Sequence, residues 1–123
     1  MVHSHEDLEV WKRAMDLVDS IYGITNQLPD SERFGLVSQM QRASVSVPAN
    51  IAEGCGREST KDLLRHLAIA QGSLSELRTL ILITQRRNYV KKEVTTENLK
   101  LSETVARLLS GFRRSLRKKL SEG

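Results

Sequence analysis

Apolar residues recur along this chain at alternating three- and four-residue intervals, the signature of helices that each bury one side. Over residues 6–27, Leu8, Trp11, Met15, Val18 and Tyr22 form one line, with Ala14, Leu17, Ile21 and Ile24 beside it. Together they make an apolar arc wider than one bundle core needs. Glu6, Asp7 and Glu9 fall in the first turn, where the helix dipole favours acids. Pro29 pushes Leu28 out of helical space and ends the segment.

A second helix is expected over residues 31–53, opening at Asp30 or Ser31, both good N-caps. Val37, Met40, Ser44, Val47 and Ile51 make a coiled-coil-like seam. Pro48 interrupts that seam and predicts a kink. It does not predict an end, because the apolar spacing runs on to Ile51. Gly54-Cys55-Gly56 reads as the C-cap.

The third helix, residues 60–87, opens at Ser59 or Thr60 with Asp62 in capping-box position. Leu63, Leu67, Ala70, Leu74, Leu77 and Ile81 give the most regular seam in the chain. Ala68, Gly72, Ser75 and Thr79 line the opposite face. They are either an ordinary neutral surface or the mark of a helix packed on two sides. On an exposed face Gly72 costs about 1 kcal/mol against Ala.

The fourth helix is expected over residues 96–119, starting near Thr95 or Thr96. Leu101, Val105, Leu108, Leu109, Phe112 and Leu116 form its stripe. Lys100, Glu103, Arg107, Arg114 and Lys118 form its outer face, flanked by Arg113 and Arg117. Four long helices with short connections predict an all-α fold. The expected arrangement is one elongated antiparallel up-down-up-down four-helix bundle spanning residues 1–123.

Composition agrees with helices: aromatics, Gly and Pro are scarce. A chain of 123 residues buries a sufficient core without cross-links. The lone Cys55 allows no internal disulfide and suits a reducing compartment. No apolar run reaches the ~18 residues that cross a bilayer. The acidic first nine residues do not resemble a secretory signal, so cytoplasm is expected and a membrane is not. Residues 1–60 hold nine acids and five Lys/Arg, net −4; residues 61–123 hold six and fourteen, net +8. That asymmetry fits either a polyanion partner or a solvated basic surface.

Catalytic constellations are absent from the pattern. His3 and His5 stand in an N-terminal segment expected to be mobile, and His66 is isolated. No metal-ligand spacing appears, and Cys55 has no histidine near it in sequence. No metal, cofactor or small-molecule substrate is expected. One polar set remains on the second helix: Gln39, Arg42, Asn50, Glu53 and Arg57. It reads as a ligand or interface site, or as a network that fixes the proline kink or a subunit contact.

These residues carry a resemblance. Leu8-Glu9-Val10-Trp11, the run from Gln39 to Gly54 with its Pro48-Ala49-Asn50-Ile51-Ala52-Glu53-Gly54, Arg57, and the stretch from Ala68 to Leu77 resemble the 23S rRNA intervening-sequence proteins. Those are four-helix bundles, and the resemblance covers roughly residues 6–90. It implies a non-catalytic homopentamer arranged as a ring or barrel. It also implies kinship in fold with the accessory protein of diversity-generating retroelements, a basic pentamer associated with nucleic acid. It marks Arg42, Asn50, Glu53 and Arg57 as important. The basic fourth helix is outside the recognisable motif.

The expectation is therefore a homo-oligomer that binds RNA or DNA phosphates through Lys100, Arg107, Arg113, Arg114, Arg117 and Lys118. Ala68, Gly72, Ser75 and Thr79 are expected to serve close helix packing. The alternative is a structural oligomer that binds protein instead.

Overall fold

A computed structural model describes residues 4–122. It consists of four long helices, α1 (Glu9–Thr25), α2 (Ser38–Cys55), α3 (Thr60–Arg86) and α4 (Lys92–Glu122), with no strand among the described residues. No described helix is long and apolar enough to cross a membrane.

The chain enters α1 through a short 3-10 turn, His5–Asp7, capped by the Ser4 hydroxyl on the Glu6 N–H. Leu8 is extended (φ −75°, ψ 130°), so α1 starts three residues later than the acids suggested. His5 belongs to this ordered turn, its ring edge-on to Trp11 at 5.2 Å. His3 lies outside the described residues. The wide apolar arc of α1 splits in two. Val10, Ala14, Leu17, Ile21 and Ile24 are buried, whereas Met15 and Tyr22 remain 40% and 41% exposed.

The entry to α2 departs from the expected continuous helix. Asp30–Glu32 form a 3-10 turn and Arg33–Val37 a π-turn, with Gly35 outside helical space (φ −108°, ψ −108°). The cap here comes from neither Asp30 nor Ser31. The Glu32 carboxylate accepts from the Leu36 N–H at 3.2 Å and from the Tyr89 hydroxyl at 2.9 Å. A Cβ on Gly35 would stand 2.8 Å from the Glu32 Oε1. The glycine is what lets that carboxylate fold back.

Within α2 the helix continues through Pro48, and Met40, Ser44, Val47 and Ile51 are fully buried. The glycines at its end act differently from a left-handed cap. Gly56 has φ −82°, and no described glycine has positive φ. Gly54 is a crossing point: a Cβ there would lie 2.9 Å from the Cβ of His66 and from Cδ1 of Leu63. Helix α3 opens as expected, the Ser59 hydroxyl accepting from the Asp62 N–H. Its seam from Leu67 to Ile81 is buried. Asn88 makes the next turn at φ 57°, a region that Asn tolerates better than most residues.

Helix α4 begins at Lys92, earlier than expected, because Thr95 is a buried residue inside the helix and not its cap. Its inward line is Thr95, Asn98, Ser102, Val105 and Leu109. Leu101, Leu108, Phe112 and Leu116 flank that line, half-buried. The buried polar groups are served locally, except the Asn98 Oδ1, which is buried without a partner. Thr95 donates to the Lys92 carbonyl, Asn98 to Val94 and Ser102 to Leu99, while Arg78 donates to the Ser102 hydroxyl.

Each helix packs on two neighbours: α1 on α2 and α4, and α3 on α2 and α4. Thus α1 and α3 stand across one diagonal, α2 and α4 across the other. Cross-helix bonds fix the heights. Gln41 meets Thr25; Thr84, Ser73 and His66 of α3 meet Met40, Ser46 and Asn50 of α2; Arg78 and Gln71 meet Ser102 and Arg113 of α4.

Candidate functional site

Positions 100, 107, 114 and 118 fall on one side of a helix at 3.6 residues per turn. Lys100, Arg107, Arg114 and Lys118 are accordingly all exposed on α4, in a stripe about 27 Å long. Arg117 is exposed on its flank. Glu103 shares the stripe, but among the described residues no carboxylate approaches these five cations within 4.0 Å. Arg113 is different. Its guanidinium turns toward α3, donating to the Gln71 Oε1 at 3.2 Å, and its Nε is buried without a partner.

The polar set of α2 divides. Asn50 faces α3, and its amide donates to the Ser46 carbonyl at 2.9 Å and to the Ser46 hydroxyl at 3.0 Å. Its Oδ1 meets the His66 Nδ1 at 3.2 Å, and the His66 Nε2 meets Arg65 at 3.3 Å. Ser46 and Ser73 share a 2.8 Å hydrogen bond beside them. Glu53 and Arg57 form an exposed i,i+4 pair at 3.0 Å. Such a pair contributes only a few tenths of a kcal/mol. Gln39 is exposed on the same helix. Sequence reasoning missed Ser46, His66 and Ser73. The available signal was a histidine and small polar residues at positions flanking an apolar seam.

Arg42 lies apart from Asn50. It lines a shallow groove of about 560 Å³ between α1 and α2, with Tyr22, Phe34, Val37 and Val45. Phe34 is 88% exposed, its ring 5.5 Å from the Arg33 guanidinium. Ala68, Gly72, Ser75 and Thr79 are exposed on the outer face of α3, with Ile69, Leu82 and Ile83 around them. A Cβ on Gly72 would meet nothing within 4 Å, so no helix of the same chain crosses there.

At one end of the bundle Cys55 lines a hollow of about 470 Å³ with His5, Leu63, Phe112 and Leu116. Burial pushes the thiol pKa up. That direction disfavours the thiolate, the reverse of what activates a cysteine nucleophile. Among the described residues no three His, Cys, Asp or Glu side chains converge as a metal-binding group.

The family model described as 23S rRNA-intervening sequence protein matches residues 6–111. Arg113, Arg114, Arg117 and Lys118 lie beyond that match. No curated protein matches the chain. Among solved structures, the chain is similar to a protein with unknown function from the S23 ribosomal protein family of Bacteroides thetaiotaomicron VPI-5482. The TM-score is 0.79 at 22% identity, covering 85% of this chain and 97% of that one. At that identity the likeness speaks for the fold.

Proposed function

Because the chain belongs to the 23S rRNA-intervening sequence protein family, we propose that it is a non-catalytic homo-oligomer that binds RNA or DNA by its phosphates. The observation that carries this reading is the α4 stripe: Lys100, Arg107, Arg114 and Lys118, exposed and without carboxylate partners. Cations left unpaired along a straight rod suit a polyanion, since each phosphate neutralised releases counterions. Assembly multiplies the effect. Each copy carries +4, so the pentamer implied by the resemblance would carry about +20. No exposed aromatic accompanies the stripe, which favours backbone contact over base stacking.

The subunit in this reading is an antiparallel up-down-up-down bundle, supported by the descending order of α3 partners along α2. The cytoplasm is the compartment we assign, on the single cysteine. Homo-oligomerisation draws support from the apolar side chains left outside the core on α1, α2 and α3. Those faces equally favour the alternative, an oligomer that binds protein and no nucleic acid.

Fluorescence anisotropy of a labelled duplex and a labelled single strand, at two salt concentrations, tests the reading. Binding should weaken steeply with salt and collapse in Arg107→Glu/Arg114→Glu. Binding that ignores salt, or none at physiological salt, overturns the nucleic-acid reading and leaves the alternative.

A further inference from the structure

We infer that copies of this chain join head to tail, the α1–α2 groove of one seated on the outer face of α3 of the next. This rests on the homo-oligomeric part of the proposed function and goes beyond it by naming the two surfaces. Apart from Leu120, every large hydrophobic side chain exposed among the described residues lies on one of them. Met15, Tyr22, Phe34 and Val45 lie on the α1–α2 side, and Ile69, Leu82 and Ile83 on α3. The two faces are separate: α1 stands across a diagonal from α3, and α2 meets α3 through Met40, Ser46 and Asn50, not through its groove residues. A two-fold dimer would cover one face and leave the other wet. A heterologous contact covers both with a single interface and closes into a ring when the rotation allows.

The faces are complementary in shape. The α1–α2 side projects large side chains, Phe34 at 88% exposure most of all. The α3 side is low, with open space where a Cβ of Gly72 would be and the small Ala68, Ser75 and Thr79 around it. They also agree in height. Thr25 is level with Gln41, Met40 with Thr84 and Ser46 with Ser73. Tyr22 and Arg42 therefore stand between the levels of Ser73 and Thr84. Met15 falls within about one turn of Ile69, and Phe34 lies toward the Ile83 end. If the symmetry axis runs along the bundle, equal heights meet. Tyr22 then faces the small-residue stripe. With both faces engaged, the outward stripe of α4 stays open.

The test uses full-length chains, one blocked on each face, with mass read by light scattering and folding checked by far-UV circular dichroism. Tyr22→Asp puts a charge on the groove, and Gly72→Arg puts a bulky side chain on the small-residue stripe. Both positions are exposed, and a Cβ at position 72 meets nothing within 4 Å. Each variant alone should be a folded monomer. Mixed in equal amounts they should form a complex of two chains, because one intact groove and one intact α3 face remain. Variants that keep the wild-type mass, or a mixture that stays monomeric, overturn the face pairing while the oligomer stands. A wild-type chain that is itself monomeric at micromolar concentration overturns the oligomeric reading.

Discussion

Asn50 and His66 meet at 3.2 Å across the α2–α3 seam, and the amide decides which imidazole nitrogen carries the proton. The Asn50 Nδ2 is committed to Ser46, so its Oδ1 can only accept from His66. The pattern assigns the proton to Nδ1 and leaves Nε2 as acceptor for Arg65. Asn50→Ala leaves a buried imidazole N–H unpaired and should lower unfolding free energy by about 1–3 kcal/mol in urea titration. His66→Ala should cost a similar amount, and the two losses should not add in the double variant. Additive losses would show that the two side chains are merely neighbours.

Glycine substitutions should separate the two kinds of glycine in these helices. Gly54→Ala drives a methyl to 2.9 Å from His66 and Leu63, so α2 and α3 must move apart. A loss of about 1–3 kcal/mol is expected. Gly111→Ala in α4 meets nothing within 4 Å and should gain up to about 1 kcal/mol from helix propensity. Thermal unfolding of both variants checks the contrast; equal shifts in one direction would sink it.

The π-turn before α2 depends on a residue far away in sequence. Tyr89→Phe removes only the hydroxyl that donates to Glu32 at 2.9 Å. A charge-assisted bond of this kind contributes about 1.5–3 kcal/mol when buried and less when half-buried, as here. The variant should therefore lose about 1 kcal/mol, read from the urea midpoint at unchanged slope. Glu32→Gln keeps the shape and should lose a similar amount. No loss in either variant would mean that Gly35 holds the turn unaided.

How much of this was legible depended on whether the apolar pattern alone chose the buried side. On α3 it did: the seam from Leu67 to Ile81 is the buried line, and Ser59 caps where its hydroxyl suggested. On α1 two apolar lines competed, and only contacts with α2 and α4 decide that Leu17 and Ile21 go inside while Met15 and Tyr22 stay out. On α4 the inward line is polar over its first half. Thr95 and Ser102 bond to carbonyls of their own helix and can be buried at little cost; Asn98 does so through its amide nitrogen but leaves its Oδ1 unpaired. Hydropathy therefore centred the stripe too far round, on Leu101 and Leu108. The role of Gly54 and the reach of Glu32 to Tyr89 are tertiary facts that local spacing does not encode. The α4 cations were legible because a seven-residue repeat survives folding unchanged, except for Arg113.

Arg113 and Arg114 are neighbours in the chain with opposite expected phenotypes. Arg114→Ala removes an exposed cation and should lower the salt slope of nucleic-acid binding by about one, with no change in stability. Arg113→Ala breaks the bond to Gln71 and empties the space its half-buried stem fills. It should cost about 0.5–1.5 kcal/mol of folding free energy and leave the salt slope close to wild type. Paired urea and anisotropy measurements distinguish them, and identical behaviour in both assays would refute the division.

Cys55 sets a pH dependence whose sign can be worked out. Burial raises the thiol pKa in the folded chain above its ordinary value, about 8.5 in the unfolded one. Below that value both states hold the proton and the thiol contributes no slope. Above it the unfolded state ionises while the folded state keeps its proton, so the folded state binds more protons and stability falls as pH rises. Lysines and tyrosines titrate in the same range, so the quantity to read is the difference between the wild-type chain and Cys55→Ala. That difference should be flat up to about pH 8 and then shift against the wild type. Alkylation by iodoacetamide at pH 7.5 should also be slower than for a free cysteine, because attack requires the thiolate. A Cys55 that reacts faster than free cysteine at that pH would mean an activated thiol at the end of the bundle, and the non-catalytic reading would have to be reopened there.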